Sequence, residues 1–194
     1  RTDQDAFAAR SQRLAAKAQA DGMFQDEIVD ITVKERKSER VFNTDEHLRP
    51  TSNEEKLAKL RPAFRKGGSV TAGNSSGIND AAAMLVMTTE SIAKAEGLKP
   101  IGELVSFAKA GLSPEIMGFA PSLAIPRALE KAGLTLSDID WIELNEAFAA
   151  QALAVIRDQD LDMDKTNPLG GAIALGHPVG ATGSILTLRT LYNL

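Results

Sequence analysis

The chain has 194 residues, of which 43% are hydrophobic and 25% are charged, the balance of an ordinary globular protein. Its formal net charge of −4 gives no general attraction to nucleic acid or to anionic membranes, and no apolar run is long enough to cross a bilayer, so we expect neither partner. The absence of cysteine excludes disulfides and thiolate metal sites, and with only two histidines we expect no metal. Residues 1–20 lack the apolar centre of a signal peptide, so we expect a cytoplasmic location.

Residues 1–78 predict an irregular α+β region. Thr2 is suited to cap a helix over residues 3–20, which we expect to lie on the surface. Alternating apolar residues predict a half-buried strand over residues 28–33. A capping box that opens with Ser52 predicts a short helix as far as about residue 60.

From residue 79 onward, apolar runs alternate with helical segments, which is typical of an α/β sheet. We expect three neighbouring strands of one sheet over residues 81–87, 102–110 and 139–144, covered by helices. Four helices are predicted between and after these strands, over residues 91–96, 123–132, 147–157 and 181–191.

A glycine-dense loop over residues 170–183 surrounds His177, which Pro178 follows directly. Such a loop lets a substrate approach the backbone closely, and its lone histidine is either a catalytic group or a structural one. The glycine spacing also resembles that of a phosphate-binding loop. However, His177 stands where that loop has its lysine, and Pro178 removes the hydroxyl that binds magnesium, so nucleotide hydrolysis is a poor interpretation.

The segment Asn-Glu-Ala-Phe-Ala-Ala-Gln over residues 145–151 is the second candidate for chemistry, and Asn145 precedes His177 by 32 residues. That distance accommodates one helix and a return strand, so the two polar groups could converge. Asn145 follows a predicted strand, where it is either the N-cap of the next helix or a group of the site. Glu146 could satisfy the N-terminal amides of the same helix.

These two motifs, together with Val-Thr-Ala-Gly-Asn-Ser-Ser-Gly-Ile-Asn-Asp over residues 70–80, closely resemble the signatures of the thiolase family of acyl-CoA acyltransferases. The resemblance extends over the whole chain and implies an α/β, thiolase-like fold. It assigns residues 1–78 to part of the loop domain that covers the coenzyme A tunnel, and residues 79–194 to an incomplete C-terminal half. It also implies a piece that begins after the nucleophilic cysteine and stops before the final strands and their cysteine loop.

The resemblance also implies roles for individual residues. It makes His177 the base that activates the nucleophilic thiol and a donor of the oxyanion hole, and it makes Asn145 the residue that positions a water against the thioester oxygen. Five further residues match positions at which the family binds coenzyme A: Ser76 at the pantetheine arm, Arg49 near the adenine, and Phe64, Met117 and Phe148 along the tunnel. Leu169 departs from the family, because many thiolases have asparagine there.

A thiolase interconverts two acyl-CoA molecules with a 3-ketoacyl-CoA and free coenzyme A, without a tightly bound cofactor, and works as a homodimer or homotetramer. The resemblance implies that activity for the parent enzyme, whereas a chain without cysteine is expected to be inactive alone. The alternative is a non-catalytic coenzyme A-binding or interaction module that keeps the scaffold, and the complete absence of cysteine is what that alternative predicts.

Overall fold

The computed structural model describes residues 1–194, and its regular structure is mainly helical. The α-helices are α1 (Thr2–Ala20), α2 (Glu54–Ala58), α3 (Glu90–Ala95), α4 (Pro121–Ala132), α5 (Ala149–Gln159), α6 (Ala172–Leu175) and α7 (Thr182–Asn193). The strands are β1 (Ile31–Lys34) and β2 (Glu39–Phe42), and 3-10 turns cover Pro114–Phe119 and Leu136–Asp138. None of the helices has the length and apolarity needed to span a bilayer.

Helix α1 lies at the centre of the fold and packs against α2, α5 and α6. Phe7 and Ala8 on its inner face join the main hydrophobic cluster, to which α5 contributes Val155 and Ile156 and α6 contributes Ile173. Burial of these apolar side chains is the main force that holds the helices together. The expectation of a surface helix was therefore wrong for this face of α1.

The helix ends lie within about two residues of the predicted ones, but two of the predicted caps are wrong. Helix α4 ends at Gly133, which adopts the left-handed conformation (φ 69°) that glycine tolerates best. Helix α2 is capped by Asn53, whose side chain accepts a hydrogen bond from the amide of Lys56 at 2.9 Å, and not by Ser52. Helix α1 has Arg1 as its N-cap, without a side-chain hydrogen bond, in place of Thr2.

Strands β1 and β2 form an antiparallel hairpin with Ile31 opposite Phe42 and Lys34 opposite Glu39. It confirms part of the strand predicted over residues 28–33, but all four residues of β1 are exposed. The guanidinium of Arg40 lies 5.3 Å from the ring centroid of Phe42 and partly covers it. The hairpin is the only sheet in the structure.

The prediction of three neighbouring strands was wrong. Residues 81–87 and 102–110 form no hydrogen bonds between backbone groups, and the first of these segments exposes 93% of Val86. Residues 139–144 pair instead with a later segment: the amide of Ile142 donates to Lys165 O, and that of Asn167 donates to Ile142 O, both at 2.9 Å. A strand requires a partner for its backbone as well as apolar side chains, and the first two segments find none in this chain.

Candidate active site

Three segments that are far apart in the sequence meet through their backbones. Ser75 pairs with Phe148 in antiparallel fashion, and Ile78 pairs with His177 in parallel fashion. The amide of Ser76 donates to Ala147 O at 3.0 Å, which strengthens the first contact. The three sequence motifs are therefore brought together, as their spacing suggested for two of them.

The imidazole of His177 lies between two polar side chains. Its Nε2 is 3.3 Å from Asn145 Nδ2, and its Nδ1 is 2.7 Å from Thr182 Oγ1. Asn145 Oδ1 is buried and has no hydrogen-bond partner within the protein. The convergence of Asn145 and His177 gives an amide and an imidazole on one partly buried surface, a combination suited to proton transfer and to stabilising an oxyanion.

The backbone at His177 is fixed from a second direction. Its amide is 3.2 Å from Gly77 O and 3.2 Å from Asn79 Oδ1, so the segment that carries Ser76 also holds the histidine loop. Gly176 has φ 94°, and a Cβ at this position would lie 2.5 Å from Asn79 Cγ. Glycine is required at Gly176 both for its conformation and for the close approach of the Asn79 side chain.

Glu146 is fully buried directly behind the site and bonds the loop instead of the helix that follows it. Its carboxylate accepts hydrogen bonds from Ser11 Oγ at 2.6 Å, from Asn167 Nδ2 at 2.9 Å and from the amide of Ile173 at 3.2 Å. Burial raises the pKa of Glu146, while these three hydrogen bonds and the charge of Arg10 act in the opposite direction. The residue joins α1, the turn at Asn167 and the start of α6.

The amides at the start of the glycine loop already have partners. The amide of Gly171 donates to Ser11 Oγ at 3.0 Å, and that of Ile173 donates to the carboxylate of Glu146. Because these amides are already engaged, the start of α6 is not a phosphate cradle. The geometry agrees with the rejection of a nucleotide-binding loop.

The five candidate coenzyme A residues fall into three places. Phe64 and Phe148 contact each other edge to face, with ring centroids 5.9 Å apart, and the Ser76 amide bonds the carbonyl of Ala147, the residue before Phe148. Met117 is 71% exposed in the 3-10 turn, which packs against α5. The Arg49 guanidinium bonds Glu46 O and Leu48 O and forms no hydrogen bond with the other four residues.

Sequence reasoning missed two side chains that touch His177. Asn79 belongs to the motif over residues 70–80 and Thr182 to the glycine loop, but neither position carries a signal of its own in a single sequence. A surface cavity of about 370 Å³ lies elsewhere. Its lining residues include Phe24 and Asp45, but not His177 or Asn145, so this cavity is separate from the site.

Comparison with protein families settles the kinship of the chain. The profile of the thiolase N-terminal domain matches residues 1–91, and that of the thiolase C-terminal domain matches residues 98–194. The chain belongs to the thiolase family. The thiolase resemblance of the sequence is therefore confirmed.

Individual thiolases give the same result. The chain is 53% identical over 196 residues to an acetyl-CoA acetyltransferase of Syntrophomonas wolfei, covering 100% of this chain and 49% of the relative. It is 48% identical over 196 residues to a β-ketoadipyl-CoA thiolase of Pseudomonas knackmussii, with the same coverage. The chain spans about half the length of these relatives.

Solved thiolase structures share the fold. The acetyl-CoA acetyltransferase of Bacillus anthracis superposes with a TM-score of 0.97 at 51% identity, over 100% of this chain and 49% of that one. Human mitochondrial 3-ketoacyl-CoA thiolase in complex with CoA superposes with a TM-score of 0.91 at 43% identity, over 100% of this chain and 48% of that one. The chain has the fold of a thiolase fragment.

Proposed function

We propose that the chain carries the imidazole and amide part of a thiolase active site, in an enzyme that transfers acyl groups between coenzyme A and 3-ketoacyl-CoA or acyl-CoA substrates. The observation that carries this proposal is the contact of His177 Nε2 with Asn145 Nδ2 at 3.3 Å, on a surface built by all three thiolase motifs. The chain contains no cysteine, so the thiol nucleophile of this reaction must come from outside these 194 residues.

In this proposal, His177 is the base. In the condensation direction, its imidazole takes the proton of the external cysteine thiol, and the thiolate attacks the thioester carbon of an acyl-CoA. The resulting oxyanion is stabilised by the imidazole and by a water that Asn145 positions, the orphaned Oδ1 of Asn145 being available to hold such a water. The imidazolium then returns the proton to the coenzyme A thiolate as it leaves.

Coenzyme A lies, in the same proposal, along the surface formed by Ser76, Phe64 and Phe148, with Met117 farther along the tunnel and Arg49 towards the adenine. Two observations support this placement. The aromatic pair is exposed, 74% for Phe64 and 37% for Phe148, which suits an apolar arm such as pantetheine. A related human thiolase is a complex with CoA. The same proposal assigns residues 1–78 to part of a loop domain and residues 79–194 to part of a C-terminal domain. It also makes the complete enzyme a homodimer or homotetramer.

A second candidate is a coenzyme A-binding or interaction module without catalysis. The observation that favours it is the absence of any cysteine in the chain, which leaves the site without its own nucleophile. The two candidates share the binding surface and differ in whether the imidazole serves a thiol.

A chimera distinguishes the two candidates. The chain replaces the matching half of the Bacillus anthracis acetyl-CoA acetyltransferase, to which it is 51% identical. We expect the chimera to catalyse thiolysis of a 3-ketoacyl-CoA, and we expect His177→Ala to lower turnover by about 10³-fold without weakening coenzyme A binding, because it removes the base and one oxyanion group. Turnover and the rate of cysteine alkylation are the measurements.

Two outcomes would count against the enzymatic proposal. An alanine variant that turns over like the unsubstituted chimera would show that His177 is structural. A folded chimera that binds coenzyme A but has no activity would favour the binding module.

A further inference from the structure

Thr182 forms the closest polar contact of the His177 ring. It is the first residue of α7 and is only 7% exposed. Its hydroxyl oxygen lies 2.7 Å from His177 Nδ1 and 2.9 Å from Pro178 O. A hydroxyl has one proton to donate, so these two contacts cannot both be donated by Thr182.

The position of that proton follows from the oxygen pair. Pro178 O can only accept, so the 2.9 Å separation from Thr182 Oγ1 is favourable only when the hydroxyl proton lies between the two oxygens. If the hydroxyl donated to the ring instead, Thr182 Oγ1 and Pro178 O would lie at hydrogen-bond distance with no proton between them. Two other threonines of α7 donate in the same way to the carbonyl four residues earlier, Thr187 to Gly183 O at 2.8 Å and Thr190 to Leu186 O at 2.9 Å.

The ring tautomer then follows. Because the Thr182 proton is directed at Pro178 O, the oxygen accepts from His177, which places a proton on Nδ1. A neutral imidazole has one proton, so Nε2 carries a lone pair. Asn145 Nδ2, 3.3 Å away, can only donate and therefore matches an unprotonated Nε2.

We propose that Thr182 is a positioning residue that holds His177 as the Nδ1–H tautomer, so that Nε2, on the Asn145 side, is the nitrogen that accepts a proton. The chemical consequence rests on the proposed thiolase function, whereas the tautomer itself does not. When Nε2 takes up a proton, the imidazolium keeps its Nδ1–H bond to Thr182. Without the hydroxyl, a partly buried Nδ1–H would have no acceptor, and the ring would favour the Nε2–H form that cannot serve as the base.

Long-range ¹H–¹⁵N NMR of the 194-residue chain tests the tautomer directly. The chain has two histidines, and the signals that His177→Gln removes identify those of His177. At alkaline pH, where the ring is neutral, we expect Nδ1 to show the shift of a protonated nitrogen and Nε2 that of a bare one. Thr182→Ser should keep this pattern, because serine retains the hydroxyl, and Thr182→Val should shift it towards the Nε2–H form.

Thr190→Val is the matched control, since it removes the same type of hydroxyl from the same helix without touching a histidine. The pattern in that variant should equal that of the unsubstituted chain. An Nε2–H tautomer in the unsubstituted chain would overturn the proposal, even if Thr182→Val does not fold. An unchanged pattern in a folded Thr182→Val variant would overturn it as well.

The chimera supplies the kinetic measurement. Thr182→Val should lower kcat by about 10- to 100-fold with little change in KM, as expected for the loss of one hydrogen bond to a catalytic group. Thr182→Ser should restore kcat, and an unchanged kcat in Thr182→Val would refute the positioning role. An inactive chimera with the Nδ1–H tautomer present in the chain would refute the proposed thiolase function and leave the Thr182 contact standing.

Discussion

Gly171→Ala is the substitution for which the structure predicts the clearest loss of stability. Gly171 has φ −140° and ψ −160°, an extended conformation that alanine adopts without strain. An added Cβ would, however, lie 2.5 Å and 2.6 Å from the two carboxylate oxygens of Glu146. The shorter of these is about 0.9 Å below the 3.4 Å at which ordinary contact begins. The carboxylate must therefore move by nearly an ångström.

That movement breaks hydrogen bonds in a fully buried place. The Glu146 carboxylate accepts from Ser11, Asn167 and the amide of Ile173, and a shift of this size removes it from at least one of them. A hydrogen bond to a charged group contributes about 1.5–3 kcal/mol, and an unsatisfied buried partner adds a penalty of similar size. We expect Gly171→Ala to lower the free energy of unfolding by about 3–5 kcal/mol.

Urea denaturation of the chain measures this loss, and Gly180→Ala is the matched control. Gly180 lies in the same loop, and a Cβ there would have no neighbour within 4 Å. We expect the control to change stability by less than about 1 kcal/mol. In the double variant with Glu146→Asp, the shorter side chain should recover part of the loss caused by Gly171→Ala. Equal urea midpoints for Gly171→Ala and Gly180→Ala would refute the reasoning.

Two further predictions concern Glu143 and the cap of α2. Burial raises the pKa of Glu143 to about 7, although the Arg189 charge opposes this shift. Between its ordinary pKa of 4.5 and 7 the folded carboxyl keeps the proton that the unfolded chain loses, so stability falls by about 3 kcal/mol across that window as pH rises. Glu143→Gln should remove this component, and equal pH slopes of urea stability in both proteins would contradict it. Asn53→Ala should destabilise the chain by about 1 kcal/mol and Ser52→Ala by less than about 0.5 kcal/mol. The reverse order in thermal unfolding would place the cap at Ser52.

The helices and the chemical groups of the site were predictable because their signals are local. Gly133 ends α4 by its own left-handed conformation, and the glycines around His177 mark a constrained loop in the sequence itself. The thiolase resemblance assigned Asn145 and the motif over residues 70–80 to the same site as His177. Both contact His177 in the structure. The catalytic and binding roles of these residues stay predictions.

The sheet was not predictable from the same kind of signal. An apolar run such as residues 81–87 shows that the segment needs cover, but not which segment supplies its hydrogen bonds, because pairing is a property of two segments. Residues 139–144 pair with the segment around Asn167. Asn167 has φ 46°, and its side chain bonds both the amide and the carbonyl of Leu144. Nothing in the sequence around Asn167 predicts a strand partner.

Helix α1 was predicted to lie on the surface because its sequence does not show which segments cover it. Its buried face also shows how the site is held in place. Its sequence is only weakly amphipathic, because part of its inner face is polar: Ser11 is fully buried and Gln12 is 5% exposed. Ser11 bonds Glu146 and the amide of Gly171, and Gln12 bonds Ile173 O and the amide of Arg49. Ser11 and Gln12 weaken the hydrophobic pattern of α1. The same two residues attach the loop before His177 and the segment of Arg49 to this helix. The Ser11 hydroxyl on α1 therefore anchors the start of the loop that carries the imidazole, because buried polar groups must find partners.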